Sequence, residues 1–399
     1  MSPSIQQNSA PQIYSIQDLT ESQKAFIKAS VPILESSGEL LTSKFYNKML
    51  NNFPEVKPFF NETNQKNLKQ PRILAFAVLN YAKNIDDLTP LLGFVHQIVV
   101  KHVGLQVKAE HYPIVGSCLL GTMKELLGEE IATPEFLKAW EIAYGNLAQI
   151  LINAEFEQYQ QQDWIGFKEF KVTSLIDESN NVKSVYFSPL EGKIALPKRG
   201  QYVCIRWTLP GDDVEKSREY SLSEFPKTNE YRISVRKLPD GKISNYVHND
   251  LKIGDVLKVS PPAGQFTYQE TDKDLILFVG GIGITPIISI LEKALSSGKK
   301  VDMYYSNKTI ESRPFTEYLK NLKKYKFNLN EYISNKSDGI VIDQAEFRPL
   351  ESSDFDRMDL VNKDIYLLGP TSYMKFVQSE LSKKGISNVF SEFFGPTEV

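Results

Sequence analysis

Histidine is scarce in this chain, and one of the four stands where an imidazole could meet a metal. They are His96, His102, His111 and His248. The run Ile98-Val99-Val100-Lys101-His102 closes an apolar helical pattern. At about 100° of turn per residue, Leu91, Val95 and Ile98 fall within about 40° of His102, on a face expected to be buried. His96 falls on the flank of that stripe. An imidazole on such a face needs a partner for each ring nitrogen. A metal is one such partner; a hydrogen-bonding core neighbour is the commoner one. The stretch by itself leaves both open.

Two further stretches have residue types suited to binding a phosphorylated ring system. Gly280-Gly281-Ile282-Gly283-Ile284-Thr285-Pro286 lies between an apolar run and a helical pattern. Glycines there let a backbone approach a pyrophosphate, and a helix N-terminus attracts its charge. Pro286 suits the first helical turn. Tight strand-to-helix turns also need glycine without any ligand, and this one is not GxGxxG, since Thr-Pro stands in place of the third glycine. Arg218-Glu219-Tyr220-Ser221-Leu222 follows Gly200-Gln201-Tyr202. An arginine can fork onto phosphate, an aromatic can cover a planar ring, and a hydroxyl can bond a ring nitrogen. Those are the needs of a flavin, although five such residues alone also read as an edge strand. Gly241-Lys242-Ile243-Ser244-Asn245 is read as a further phosphate-contacting turn.

Three textures would position these residues. The first 18 residues are polar, rich in Gln, Ser and Pro, and are expected to be a disordered extension. Thr20-Glu21-Ser22-Gln23 has the capping-box pattern of a helix start. From there to about residue 159 apolar residues recur at three and four. Asn52-Phe53-Pro54, residues 61–70, Asn84-Ile85-Asp86-Asp87 and Thr133-Pro134 are the punctuation. Past a polar hinge at 158–162, alternating segments at 170–176, 182–187, 201–207, 231–235 and 256–259 predict a small antiparallel barrel or sandwich. From about residue 274, strand candidates at 275–279, 301–305, 327–333 and 365–368 alternate with helical stretches, which predicts a parallel α/β sheet.

A chain of 399 residues is too long for a single core. Its net charge of −3 makes no case for nucleic acid or an anionic membrane as partner. Cys118 and Cys204, far apart and outside any CxxC, point to a reducing compartment. With no apolar run of bilayer length and no secretory or transit pattern, a cytoplasmic protein is expected.

From residue 167 onward the motifs, in order, resemble the ferredoxin–NADP reductase family. They are Arg218-x-Tyr220-Ser221, Pro262-Ala263-Gly264, the glycine turn and Glu392-Phe393-Phe394-Gly395-Pro396. A globin-like helical domain fused to such a reductase resembles the flavohaemoglobins, and the resemblance runs from about residue 19 to the end. It implies a disordered extension at 1–18, a globin haem domain at 19–160, an FAD-binding β-barrel at 161–270 and an NAD(P)-binding α/β domain at 271–399.

The resemblance also implies roles. Lys101-His102, Gln106-Val107-Lys108 and His111-Tyr112-Pro113-Ile114-Val115-Gly116 match the proximal segment, making His102 the iron ligand of haem b. Tyr112 and Glu155 would hold its other nitrogen, and a carboxylate there raises ligand basicity. Lys44-Phe45-Tyr46-Asn47-Lys48-Met49-Leu50 matches a distal motif in which Tyr46 steadies dioxygen. Asn64-Gln65-Lys66 and Gln70-Pro71-Arg72-Ile73-Leu74 match the distal helix, with Gln70 a second polar group, Leu74 above the iron and Phe60 against the haem. Lys101 is carried with the haem contacts. Flavin contacts fall on Tyr202, Arg218, Tyr220, Ser221, Lys242, Ser244, Glu392 and Phe394. Nicotinamide contacts fall on Gly280, Gly281, Gly283, Thr285, Pro286, Gly369 and Pro370.

The implied activity is nitric oxide dioxygenation by a monomer acting on small molecules (O2, nitric oxide, NAD(P)H), with electrons passing from NAD(P)H through FAD to haem. Alternatives are a haem-based gas sensor, or an NAD(P)H-dependent reductase with another acceptor. The chain departs from the family pattern at Leu367-Leu368-Gly369-Pro370, where Leu368 replaces a cysteine expected near the nicotinamide. Residues 1–18 have no family counterpart.

Overall fold

The computed structural model describes residues 9–60, 68–322, 324–335 and 345–394. Its contacts divide the chain into two compact units, one chiefly residues 1–167 and the other chiefly residues 168–395.

The helical unit starts where the capping box places it. The Thr20 hydroxyl accepts from Gln23 N, and the Gln23 side chain accepts from Thr20 N at 2.9 Å, so two orphan donors of the helix are satisfied. The helices are α1 (Glu21–Ala29), α2 (Val31–Asn52), α3 (Lys69–Lys83), α4 (Leu92–Leu105), α5 (Tyr112–Ile131) and α6 (Pro134–Tyr159). Pro134 opens α6 behind Thr133, whose hydroxyl accepts from Phe136 N, as a helix start with proline in its first turn requires. Among the described residues no helix is long and apolar enough to cross a membrane.

Two expectations are corrected here. Residues 11–17, read as part of a disordered extension, are held on α6: both Ile13 N and Tyr14 N donate to Gln149 Oε1, at 3.0 and 2.9 Å. The polar composition misled because its hydrogen bonds go to a helix far along the chain. On α4 the buried positions are Val99, Val103 and Gly104, not the predicted stripe. Leu91, Val95, Ile98 and His102 all remain half-exposed.

The second unit holds two sheets. Strands β1 (Lys168–Ser179), β2 (Val182–Pro189), β3 (Tyr202–Trp207), β4 (Lys216–Ser221), β5 (Tyr231–Arg236) and β6 (Val256–Val259) form an antiparallel sheet of order β4-β3-β6-β1-β2-β5. A bridge from Leu222, just past β4, to Ile233 of β5 joins the two ends into the expected barrel. Phe170 stacked on Tyr231, with Phe187 edge-on to both, fills it. The stretch read as a phosphate turn at 241–245 instead opens a helix, α7 (Lys242–Asn249), with Gly241 as its N-cap.

The parallel sheet has the order β10-β9-β8-β7-β11-β12. Its strands are β7 (Leu275–Gly280), β8 (Val301–Asn307), β9 (Phe327–Ile333), β10 (Ala345–Glu346), β11 (Asp364–Leu368) and β12 (Val389–Ser391). Alternate residues of β7 feed two cores. Leu275, Leu277 and Val279 pack with α8 (Ile284–Ser296), while Ile276 and Phe278 pack with α10 (Thr371–Lys383). The short α9 (Thr316–Leu322) adds Leu319 to the first core. Burial on both faces is why β7 is continuously apolar.

Candidate functional site

On α4, His102 is followed by a built-in stop. Gln106 adopts a left-handed conformation (φ 60°), and Val107 N donates back to His102 O at 2.9 Å, closing the helix end. The Gln106 side chain is itself buried. Its Nε2 donates to Val103 O and Gln162 Oε1, and its Oε1 accepts from Gly166 N. Tyr159, at the end of α6, donates its hydroxyl to Val107 O at 2.6 Å. The histidine is thus fixed at the end of a helix that can neither extend nor swing.

Glu155 of α6 is buried at 2% exposure, which a carboxylate tolerates only when hydrogen-bonded. It accepts from His102 Nδ1 at 2.8 Å and from the Tyr112 hydroxyl at 2.5 Å, and Tyr112 also lies 3.1 Å from the same ring nitrogen. Burial first, and the Glu155 carboxylate second, push the Tyr112 hydroxyl far above the ordinary phenol range. Tyr112 therefore stays a donor, and the Glu155 carboxylate takes the hydrogen bond of His102 Nδ1. That leaves the lone pair on Nε2, and among the described residues nothing hydrogen-bonds to it. The surrounding apolar side chains Leu91, Val95 and Ile98 are only half-covered.

On the other side of the unit, Tyr46 of α2 meets Phe60 edge-on, centroids 5.4 Å apart, and packs with Leu74 in one cluster. Burial raises the Tyr46 hydroxyl above its usual range, so it too keeps its proton and can donate. The Thr42 hydroxyl donates to Pro71 O at 2.9 Å, which pins α2 to the start of α3. Gln70 and Leu74 stand one turn apart on α3, both half-buried. The matching Asn64-Gln65-Lys66 lies outside the described residues.

The buried apolar side chains of this unit form two clusters, with the partly buried Tyr144 and Leu147 packed against both. One cluster holds Phe45, Met49, Val78 and Trp140 with Tyr46, Phe60 and Leu74 against it. The other holds Val99, Val103, Tyr112 and Ile152 with Val95 and Ile98 against it. A partly uncovered apolar stripe ending in a half-exposed imidazole is a surface a flat apolar group would cover. The described residues contain no cluster of three metal-ligating side chains, so the one imidazole suits a metal whose other ligands come with the group.

Sequence reasoning passed over Tyr144. It lies eleven residues before Glu155 on α6, within about 20° of the same face, and its hydroxyl donates to Tyr112 O at 2.7 Å. Gly116 leaves room for it, since a Cβ there would lie 2.6 Å from the Tyr144 ring. Glycine-to-aromatic approaches between separate helices carry no local signal.

In the second unit the geometry divides the expected residues. Tyr220 is half-exposed on β4 with its ring edge-on to Trp207, centroids 6.1 Å apart, and Ser221 beside it is half-exposed. Arg218 is half-buried and donates to its neighbour Ser217 O. Tyr202 is buried, its ring covered by Gly264, and Glu219 and Glu392 lie near enough to raise its hydroxyl further after burial. Ser244 spends its hydroxyl inside its own turn, accepting from Leu238 N and donating to Gly241 O. Lys242 and Phe394 are exposed, Lys101 half-buried; Gly395-Pro396 lies outside the described residues.

The glycine turn has a packing purpose. A Cβ on Gly283 would sit 2.8 Å from the Leu368 carbonyl, and one on Gly369 would sit 3.0 Å from Gly280 Cα. The turns after β7 and β11 therefore press backbone on backbone, with Pro370 against Gly280. Thr285 bonds back to Ile282 O, and Pro286 is buried in the first turn of α8. Gly281 differs, with φ 51° and only the Arg236 guanidinium within 4 Å of its missing Cβ. Leu368 is fully buried in the core under α8.

Comparison with known proteins places both units. Residues 43–151 match the globin family model, and residues 169–268 match the oxidoreductase FAD-binding domain. A flavohemoprotein of Candida albicans is 56% identical over 393 residues, covering 96% of this chain and 98% of its own. One from Schizosaccharomyces pombe is 54% identical, covering 96% and 93%. Among solved structures, flavohemoglobin from Malassezia yamatoensis with bound FAD and heme shares the fold at a TM-score of 0.82 and 24% identity, over 95% of this chain and 100% of its own. The FAD/NAD-binding domain of nitric oxide dioxygenase from Vibrio cholerae is 29% identical with a TM-score of 0.51, over 58% and 100%.

Proposed function

The chain belongs to the flavohemoprotein family, an oxidoreductase assembly, and we propose that it is a nitric oxide dioxygenase using NAD(P)H, with haem b and FAD as cofactors. The observation that carries this reading is the half-exposed His102 hydrogen-bonded to buried Glu155 and Tyr112, with His102 Nε2 left to a ligand. A globin that only stores oxygen has no need of a basic, carboxylate-backed ligand; one that activates it does.

The partly uncovered apolar stripe and the half-exposed imidazole at its end fit haem, and the half-exposed Tyr220 and Ser221 beside Trp207 fit a flavin. Haem supplies an iron that binds diatomic gas and exchanges single electrons, and FAD links it to a two-electron hydride donor. His102 holds the iron through Nε2. Glu155 keeps the proton on Nδ1, and Tyr112 shares that carboxylate. Tyr46 and Gln70 donate hydrogen bonds on the gas-binding side, while Phe60 and Leu74 exclude water there. Tyr220 covers the flavin ring, Ser221 bonds it, and Arg218 meets its phosphate. The glycine turn with Thr285 and Pro286, and Gly369-Pro370 beside it, receive the dinucleotide.

The substrates are small molecules and the protein acts as a monomer. A cytoplasmic setting suits its two buried cysteines, neither of which is in a disulfide.

The test is the absorbance spectrum of the purified chain, followed by NADH consumption when nitric oxide is added in air. Haem and flavin bands with nitric-oxide-stimulated turnover are expected. Tyr46→Phe should slow that turnover by about 10-fold or more, the worth of a hydrogen bond to a developing charge, while flavin reduction by NADH is unchanged. Both cofactors present without stimulated turnover would favour a gas sensor.

A further inference from the structure

Gln149 is a buried amide in the middle of α6, 1% exposed, and α6 alone does not satisfy it. Its Oε1 accepts from Ile13 N and Tyr14 N, and its Nε2 donates to Pro11 O at 3.0 Å and to Asn153 Oδ1 at 2.8 Å. Three of its four hydrogen bonds thus come from the strap formed by residues 11–17. One turn earlier on α6, Asn146 clasps the other end: it accepts from Gln17 N at 2.9 Å and donates to Gln17 O at 2.7 Å. A buried amide left without partners is costly, so α6 is built to receive this strap.

The strap places one ring. Tyr14 meets Tyr144 edge-on, centroids 5.9 Å apart at 84°. It lies over Gly145, where a Cβ would come within 3.0 Å of its ring. Tyr14 packs in the same cluster as Val99, Val103 and Tyr112. From Tyr144 the contacts run on without a gap, to Tyr112 O by hydrogen bond and from the Tyr112 side chain to Glu155 and His102.

We propose that the strap is a positioning element for His102, with Tyr14 as the positioning residue that holds Tyr144 and hence Tyr112 against Glu155. The proposal rests on the reading of His102 as the iron ligand. Tyr14 touches neither the metal nor His102; it acts on the strength of the imidazole's hydrogen bond, and a stronger bond makes a more basic ligand.

The test compares full-length haem-loaded protein with Tyr14→Ala and with Gln149→Leu, which releases the strap without altering a tyrosine. The readouts are the iron–histidine stretching band of the ferrous protein and the haem midpoint potential. Both variants should shift the band to lower frequency and the potential upward, and Tyr14→Phe, which keeps the ring, should restore both. Hydrogen exchange at residues 11–17 checks that the strap has been released. A released strap with band and potential unmoved overturns the proposal, even if thermal stability falls, because a merely structural strap would lower stability alone. If Tyr14→Ala does not fold, Gln149→Leu and Asn146→Ala decide the question by the same two readouts. A parent protein without an iron–histidine band would instead overturn the assignment of His102.

Discussion

The His102 centre and the glycine turn after β7 are built on opposite plans. At His102 the two partners lie 10 and 53 residues away in sequence, come from two other helices, and meet it through side-chain atoms. At the glycine turn, backbone meets backbone, and the missing Cβ atoms of Gly280, Gly283 and Gly369 set the geometry. A side-chain centre can be altered chemically without moving the chain, since one functional group can replace another of equal shape. A backbone centre cannot, because any added atom displaces a strand end. The two should therefore fail differently under substitution.

The largest effect is expected at Glu155. Glu155→Gln keeps the shape of the group and removes the charge that makes His102 basic. Turnover with nitric oxide should fall about 10–100-fold, the usual loss when a partner of a metal ligand is replaced. Thermal unfolding of the helical unit should change little by comparison. A large fall in stability with turnover preserved would erase the distinction between the two plans.

Gly283→Ala should do the reverse. Its Cβ would meet the Leu368 carbonyl at 2.8 Å, which should cost about 1–3 kcal/mol of stability, read by denaturant unfolding of the second unit. Gly281→Ala is the control, since its site is open and only its left-handed backbone (φ 51°) resists, at about 1–2 kcal/mol. If Gly281→Ala proves much worse than Gly283→Ala, the close approach of the two turns is not what sets the cost.

The smallest effect is expected at Leu368→Cys. The side chain is fully buried, so the shorter cysteine should lose about 1 kcal/mol to the space it leaves. Hydride transfer from NADH should change only slightly, because the leucine packs in the core under α8. A severalfold rise in the rate of flavin reduction would mean that position 368 faces the chemistry after all.

The same contrast explains what was legible in the chain. Strand and helix spans came from periodicity, and the α1 start from Thr20 and Gln23, because those signals are local. The glycine turn was equally visible, but local pattern could not say whether a ligand or a neighbouring turn required the glycines; most of them face the turn after β11. His102 alone carried little information, as its meaning depends on Tyr112 and Glu155, and only the resemblance linked the three. The stripe on α4 was misjudged because periodicity reports which residues are apolar, not what covers them. Leu91, Val95 and Ile98 are apolar without being buried by protein. Composition misled at residues 11–17, whose backbone groups are matched by Gln149 and Asn146 more than a hundred residues later.

Gln106 governs where the chain can be cut. Its buried amide bonds Gln162 and Gly166 N, residues beyond the last turn of α6 and beyond a domain boundary drawn at 160. A recombinant fragment ending there would expose the terminus of the helix that bears His102, whereas one carried through Phe167 retains every hydrogen bond of that glutamine. Dissecting the protein into separately studied halves therefore depends on seven residues that belong, by sequence texture, to neither.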